Sequence, residues 1–192
     1  MITAVTGIPH SGTSMMMHML QEGGLPLVYD NLRPADYGNL NGYFEYRPLY
    51  DWGSGIGRYA KKINPDILKL ADRKGIKLVS NMLEFLPNTY EYRLIWMKRP
   101  FEEIVLAHCR EMPRDQARIL TMEFQDMFDE MEEKLKSIPH IKVLPMSYHI
   151  VMKYPREASE YVQNFLGLRL NVEAMSKVPD KKFYRCRETQ IH

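Results

Sequence analysis

The stretch VTGIPHSGTSMMMHMLQEGG, residues 5–24, decides the fold. The β-branched run ITAVT at 2–6 leads into it and predicts a short buried strand. Glycines interrupt that strand, residues 13–22 then read as a helix, and Gly23-Gly24 stop the helix. A strand, a glycine-rich loop and a helix in this order predict a loop at the carboxyl end of a strand, where open α/β sheets bind their ligands.

The loop GIPHSGTS at 7–14 has the spacing of a phosphate-binding loop but lacks its lysine. The phosphate-binding pattern is G-x-x-x-x-G-K-[ST], and Thr13 stands at the lysine position. Backbone N–H groups of such a loop converge on an oxyanion, and the helix N-terminus adds further donors. A plain glycine-rich turn between strand and helix is the alternative interpretation.

The strands that follow also lack the acidic residue of nucleotide triphosphatases. Those enzymes hold Mg²⁺ with a carboxylate at a strand end, whereas here Lys98-Arg99 and Asn81 follow the predicted strands. We therefore expect an anion held without a metal, by direct contact with cations. A sulfuryl group carries less charge than a terminal phosphate and needs less neutralisation, which fits a loop without lysine.

The rest of the chain alternates short apolar strands with helices. Besides the elements already named, we predict strands at 76–80, 93–97 and 141–145 and helices at 65–74, 101–112, 115–137 and 155–166. Residues 25–64 form a long, mostly irregular segment rich in aromatic residues, and the residues after 167 read as a basic tail. This alternation predicts an α/β fold: one domain over 1–192, with a three-layer parallel β-sheet flanked by helices, like that of P-loop NTPases.

Composition bounds the function. A formal net charge of +2 is too balanced to indicate a polyanion partner, and aromatic and basic residues do not interleave as a nucleic-acid surface requires. No apolar run approaches the ~20 residues of a membrane span. With no basic leader and only two cysteines, Cys109 and Cys186, the sequence predicts a cytoplasmic protein with reduced thiols, no membrane insertion and no metal.

Four segments together resemble the sulfotransferase family that uses 3′-phosphoadenosine 5′-phosphosulfate (PAPS). They occur in the family's order and span most of the chain: GIPHSGTS at 7–14, NLNGYFE at 39–45, RLIWMKRPFEEIVLAH at 93–108 and MSYHIVMKYPREASEYVQNFLGL at 146–168. The resemblance implies a P-loop-like sulfotransferase fold. It also implies PAPS as sulfuryl donor and a small-molecule or glycan acceptor bearing a hydroxyl or amine.

The resemblance assigns roles around the loop. Ser11, Gly12, Thr13 and Ser14 match positions that bind the 5′-phosphate and sulfate oxygens. His10 stands where the family usually has a lysine or arginine that stabilises charge on the departing bridging oxygen. A protonated His10 would do the same, and a neutral one would donate a single hydrogen bond.

The resemblance also assigns the nucleotide site. Arg99 matches the arginine that holds the 3′-phosphate, with Lys98 beside it, and Tyr148 lies where a family tyrosine packs near the adenosine. The family's serine falls on Ala107, so His108 is expected to substitute for it or to pack within its helix. In the basic tail, Arg185 and Arg187 are expected either to close the nucleotide site or to lie in solvent.

For the general base that deprotonates the acceptor we favour Glu45, because it lies in the aromatic segment expected to cover the acceptor. A structural salt bridge is the alternative for this residue. Two other functions stay open. One is a catalytically weak protein that binds 3′-phosphoadenosine 5′-phosphate (PAP) or a sulfated ligand, and the other is a P-loop nucleotide kinase.

Overall fold

The computed structural model describes residues 1–35, 39, 42–49, 65–78, 83 and 85–180. The strands are β1 Ile2–Gly7, β2 Leu27–Val28, β3 Gly75–Lys77, β4 Tyr92–Lys98 and β5 Ile141–Ser147. The helices are α1 Thr13–Glu22, α2 Pro65–Leu70, α3 Phe101–His108, α4 Arg114–Leu135, α5 Tyr148–Lys153, α6 Pro155–Leu166 and α7 Val172–Ser176, with a 3₁₀ turn at Arg47–Leu49. No helix within these ranges combines the length and apolarity needed to cross a bilayer.

The strands form one five-stranded sheet in the order β2-β3-β1-β4-β5. Every pair is parallel, and β1 at the centre pairs with β4 along Ile2–Gly7 and with β3 along Thr3–Val5. The carboxyl ends of neighbouring strands therefore meet at one edge, where the loop after β1 lies. The predicted α/β fold with a parallel sheet is confirmed.

Two apolar layers cover the two faces of the sheet. Along β4, Leu94 and Trp96 pack with α2, α3 and α4, whereas Ile95 and Met97 pack with α1, α5, α6 and α7. This alternation follows from the two-residue period of a strand. A sheet that is buried on both faces needs apolar residues at consecutive positions, which explains why its strands read as continuous apolar runs.

Several predicted element boundaries were wrong. The helix predicted at 65–74 ends at Leu70, the one predicted at 101–112 ends at His108, and β3 ends at Lys77. The short elements β2, α5 and α7 were not predicted, and α7 lies in the segment read as a tail. Elements this short contain too few residues for a periodic apolar pattern to predict them. The start of α7 is stabilised by an N-cap, in which Asn171 Oδ1 accepts a hydrogen bond from the backbone N–H of Ala174.

The 3–4 spacing of apolar residues in the helix predicted at 115–137 places Ile119 on one face with Phe128, Met131 and Leu135, and the structure departs from this at the N-terminal end of α4. Phe128, Met131 and Leu135 are buried as their spacing indicates, but Ile119 is 58% exposed. Near its start α4 packs on α3, and there Ala117 and Thr121 occupy the buried face. Small residues allow the two helices to approach closely, so this face does not register in an apolar pattern.

Candidate anion-binding site

The loop between β1 and α1 has the features of an anion site. Gly12 adopts a left-handed conformation (φ 99°) and provides no side chain to cap α1. A Cβ at Gly12 would lie 2.6 Å from Cδ2 of Tyr148, so glycine lets the tyrosine ring close over the loop. Ser11 is fully buried, and its Oγ has no hydrogen-bond partner among the described residues. An anion at the N-terminus of α1 would satisfy both the helix N–H groups and this hydroxyl.

A lysine lies beside this loop although the loop contains none. Lys77, the last residue of β3, directs its Nζ to Ser14 Oγ at 3.3 Å and donates to the carbonyl oxygen of Tyr43 at 3.2 Å. Its side chain is only 13% exposed. Burial lowers the pKa of Lys77, and the carboxylate of Glu45 opposes that shift. A cation thus reaches the first turn of α1 from the neighbouring strand rather than from the helix itself.

Glu45 lies between two cations. Its Oε1 is 3.5 Å from Lys77 Nζ and 3.2 Å from an Nη atom of Arg33. The Arg33 guanidinium also stacks over the ring of Tyr43, with its carbon 3.4 Å from the ring centroid. The salt bridges considered for Glu45 are therefore present, and they join the segment around 43–45 to β3 beside the loop.

Arg99 lies on the opposite side of the loop from Lys77. Its Nη1 donates to the carbonyl oxygen of His10 at 3.0 Å, and its guanidinium carbon is 4.4 Å from the ring centroid of Tyr148. Its Nε donates to Glu103 Oε2 at 2.8 Å. The preceding residue, Lys98, points elsewhere and forms a salt bridge with Glu132 of α4. Of these two consecutive basic residues, Arg99 is the one that contacts the loop.

The ring of His10 meets the ring of His108 edge to face, with centroids 4.7 Å apart. Burial, followed by the nearby charges of His108 and of three arginines, lowers the pKa of His10 to about 4. His10 is therefore a neutral imidazole near pH 7. In that form it can donate a single hydrogen bond but carries no charge. Arg99, Arg110 and Arg33 add to this lowering of the pKa after burial and His108, since cations disfavour protonation of a neighbouring imidazole.

The hydrogen bonds of His108 define its tautomer. Thr121 Oγ1 donates its one proton to the carbonyl oxygen of Ala117 at 2.7 Å, so it must accept from His108 Nδ1, 3.0 Å away. A neutral His108 therefore has an unprotonated Nε2, and burial lowers the pKa of this residue. It would donate from Nε2 to a phosphate oxygen only after taking up a proton.

The fold gathers the sequence-predicted residues that it describes around one loop. His108, Arg99 and Tyr148 contact the loop directly, and Glu45 is joined to it through Lys77, which contacts Ser14. The remaining predicted residues lie within the loop itself: His10, Ser11, Gly12, Thr13 and Ser14. Arg185 and Arg187 lie outside the described residues. The arrangement fits an extended anion with two charged ends, because Lys77 and Arg99 flank the N-terminus of α1.

Sequence reasoning missed Lys77, Arg33 and Glu103. A usable signal existed for Lys77, because it is the one charged residue within the apolar run IKLVS at 76–80. A charge in a strand covered on both faces requires a partner or a ligand. Arg33 and Glu103 stand among other charged residues, and nothing local distinguishes them.

Comparison with known proteins gives a structural match. No family model and no curated protein matches this sequence. A crystal structure of mouse sulfotransferase SULT7A1 complexed with PAP superposes with a TM-score of 0.53 and 17% sequence identity, covering 93% of this chain and 62% of that one. This chain therefore has a sulfotransferase-like fold, and it spans about three-fifths of the length of that relative.

Proposed function

We propose that this protein is a sulfotransferase that takes the sulfuryl group of PAPS and transfers it to a hydroxyl or amine of a small-molecule or glycan acceptor. One observation carries the proposal: two nearly buried cations, Lys77 and Arg99, flank the N-terminus of α1 and the Ser11 hydroxyl, for which the described part of the chain offers no hydrogen-bond partner. PAPS has a 3′-phosphate at one end and a phosphosulfate at the other. The sulfotransferase-like fold supports the proposal.

In this proposal the loop residues 11–14 and the N-terminus of α1 hold the 5′-phosphosulfate. Arg99 holds the 3′-phosphate, and its planar guanidinium suits a phosphate better than an ammonium does. Lys77 replaces the missing loop lysine and neutralises charge at the sulfuryl end. Tyr148 packs beside the adenosine, and Glu45 takes the acceptor's proton. PAPS, when bound, supplies an activated sulfuryl group whose leaving group is PAP.

A second candidate function is supported by the state of His10. His10 stands where the family usually has a cation, and with a pKa of about 4 it is neutral at pH 7. The side chain at this loop position therefore adds no positive charge to stabilise the departing phosphate. A protein that binds PAP or a sulfated ligand with little turnover would share the same site. The two functions separate by turnover: PAP binding without sulfuryl transfer across a broad panel of alcohols, phenols, amines and sugars would favour the binding protein.

The test is calorimetric titration with PAP and with ATP, each with and without Mg²⁺. We expect micromolar PAP binding that ignores Mg²⁺ and exceeds ATP binding. Arg99→Lys keeps the positive charge but loses the planar guanidinium with its paired N–H donors, and it should weaken PAP binding. Arg118→Lys is the control and should not, because Arg118 is half exposed and pairs with Glu102. Mg²⁺-dependent ATP binding with no preference for PAP would overturn the proposal in favour of a nucleotide kinase.

A further inference from the structure

A buried carboxylate lies directly behind the candidate 3′-phosphate subsite. Glu103, in the first turn of α3, is 1% exposed. Burying a carboxylate is costly unless cations and hydrogen bonds compensate for the water it loses. The neighbouring Glu102 lies on the surface side of the same turn, where it pairs with Arg118. The burial of Glu103 therefore needs an explanation.

The two oxygens of Glu103 serve different elements. Oε2 accepts from Arg99 Nε at 2.8 Å, and Oε1 is 3.1 Å from Nε2 of His149, a residue of α5. The Arg99 and Glu103 side chains are both nearly buried, at 8% and 2% exposure. Their pairing is therefore far less screened by solvent than the exposed ion pairs elsewhere on the chain.

Together, contacts with the protein itself hold the guanidinium of Arg99 in place. Glu103 takes the Nε edge, the His10 carbonyl oxygen takes Nη1 at 3.0 Å, and the ring of Tyr148 lies 4.4 Å from the guanidinium carbon. These three partners belong to α3, to the loop after β1 and to α5. A free arginine side chain loses conformational entropy when a ligand orders it. A guanidinium that is already ordered does not pay that cost at binding.

We propose that Glu103 is a positioning residue for nucleotide recognition: it orients Arg99 toward the 3′-phosphate and thereby sets the preference for a 3′-phosphorylated nucleotide. This inference rests on the proposed function. It predicts an effect opposite to that of simple charge. A carboxylate near a phosphate repels it, so a Glu103 that acted only through its charge would weaken PAP binding, and its neutralisation would tighten it.

The experiment measures dissociation constants for PAP and for adenosine 5′-monophosphate, which lacks the 3′-phosphate. The dissociation constant for adenosine 5′-monophosphate divided by that for PAP measures the preference for the 3′-phosphate, and this ratio is insensitive to a general loss of folded protein. Glu103→Gln keeps the shape but replaces a charged hydrogen bond by a neutral one, and should reduce the ratio about 5- to 10-fold while the monophosphate constant stays within about 2-fold. Glu102→Gln is the matched control and should leave the ratio unchanged.

A double-mutant cycle tests whether Glu103 acts through Arg99. In an Arg99→Ala background, Glu103→Gln should change the PAP constant by less than about 2-fold, because the group it positions is gone. Glu103→Asp keeps the charge but shortens the side chain. It should also lower the ratio, and it provides the measurement if Glu103→Gln does not fold.

The outcomes separate the two proposals. If the wild-type protein shows no preference for PAP over adenosine 5′-monophosphate, the 3′-phosphate subsite is refuted, and with it both the proposed function and the role of Glu103. A wild-type preference that survives in Glu103→Gln and Glu103→Asp, or that grows in Glu103→Gln, overturns the positioning role alone and leaves the nucleotide site standing.

Discussion

Replacing Lys77 by methionine tests how a loop without lysine neutralises its ligand. Methionine has a similar length and fills the same space but removes the cation. In the folded protein Lys77 Nζ lies within 3.5 Å of Ser14 Oγ, of the Tyr43 carbonyl oxygen and of Glu45 Oε1. The variant loses these contacts, but it also no longer buries a charge. Glu45 retains its salt bridge to Arg33.

The expected effects differ in size for binding and for stability. A hydrogen bond to a charged group contributes about 1.5–3 kcal/mol, which corresponds to roughly 10- to 150-fold in a dissociation constant. If Lys77 neutralises the sulfuryl end, Lys77→Met should weaken PAPS by that factor and PAP by clearly less. The free energy of unfolding should change by about 2 kcal/mol or less, because relief of lysine desolvation offsets the lost contacts. That is a shift of up to ~8 °C in Tm.

The assay is calorimetric titration of the wild type and of Lys77→Met with PAPS and with PAP, alongside thermal unfolding. Lys69→Met serves as the control, since Lys69 is exposed on α2. Equal weakening of both nucleotides in a folded variant would show that Lys77 acts on the loop and not on the sulfuryl group. Unchanged affinity for both would refute the idea that a strand lysine replaces the loop lysine.

Two further predictions concern the loop. Gly12→Ala should destabilise the fold by about 1–3 kcal/mol or more and abolish PAP binding, because it places a Cβ 2.6 Å from the Tyr148 ring at φ 99°. Gly24→Ala is the control: at φ 90°, with no described atom within 4 Å of the added Cβ, it should cost only the backbone strain and keep PAP binding. Unfolding curves and titrations measure both variants. The pKa of His10 is lowered to about 4, so the unfolded chain, with a histidine pKa near 6.5, binds the proton first as pH falls. The contribution of His10 to stability is thus fully present above about pH 6.5 and lost between 6.5 and 4. His10 has φ 69°, which asparagine tolerates, so His10→Asn should flatten that part of the urea-measured stability profile. An unchanged profile would contradict the lowered pKa.

The polar groups on the two sides of the loop show how far sequence reasoning reached. Arg99 was expected to hold a phosphate because the resemblance to sulfotransferases matches it to the arginine that holds their 3′-phosphate. The structure places it on the loop, but its orientation depends on Glu103, His10 and Tyr148, which no spacing rule connects. His108 was expected to substitute for a serine, and the hydrogen bond to Thr121 of another helix determines which of its nitrogens carries the proton.

The sequence by itself determined the strand–loop–helix unit, the alternation that makes a parallel three-layer fold, and the glycine loop that suits an anion. These features are local: they depend on the period of apolar residues and on the conformational freedom of glycine. Only the tertiary structure decided which cations serve the loop. Lys77 reaches Ser14 across 63 positions of the chain and Arg99 reaches His10 across 89. Sheet order creates such contacts, because β3 and β4 lie on either side of β1 and bring their carboxyl ends to the same edge.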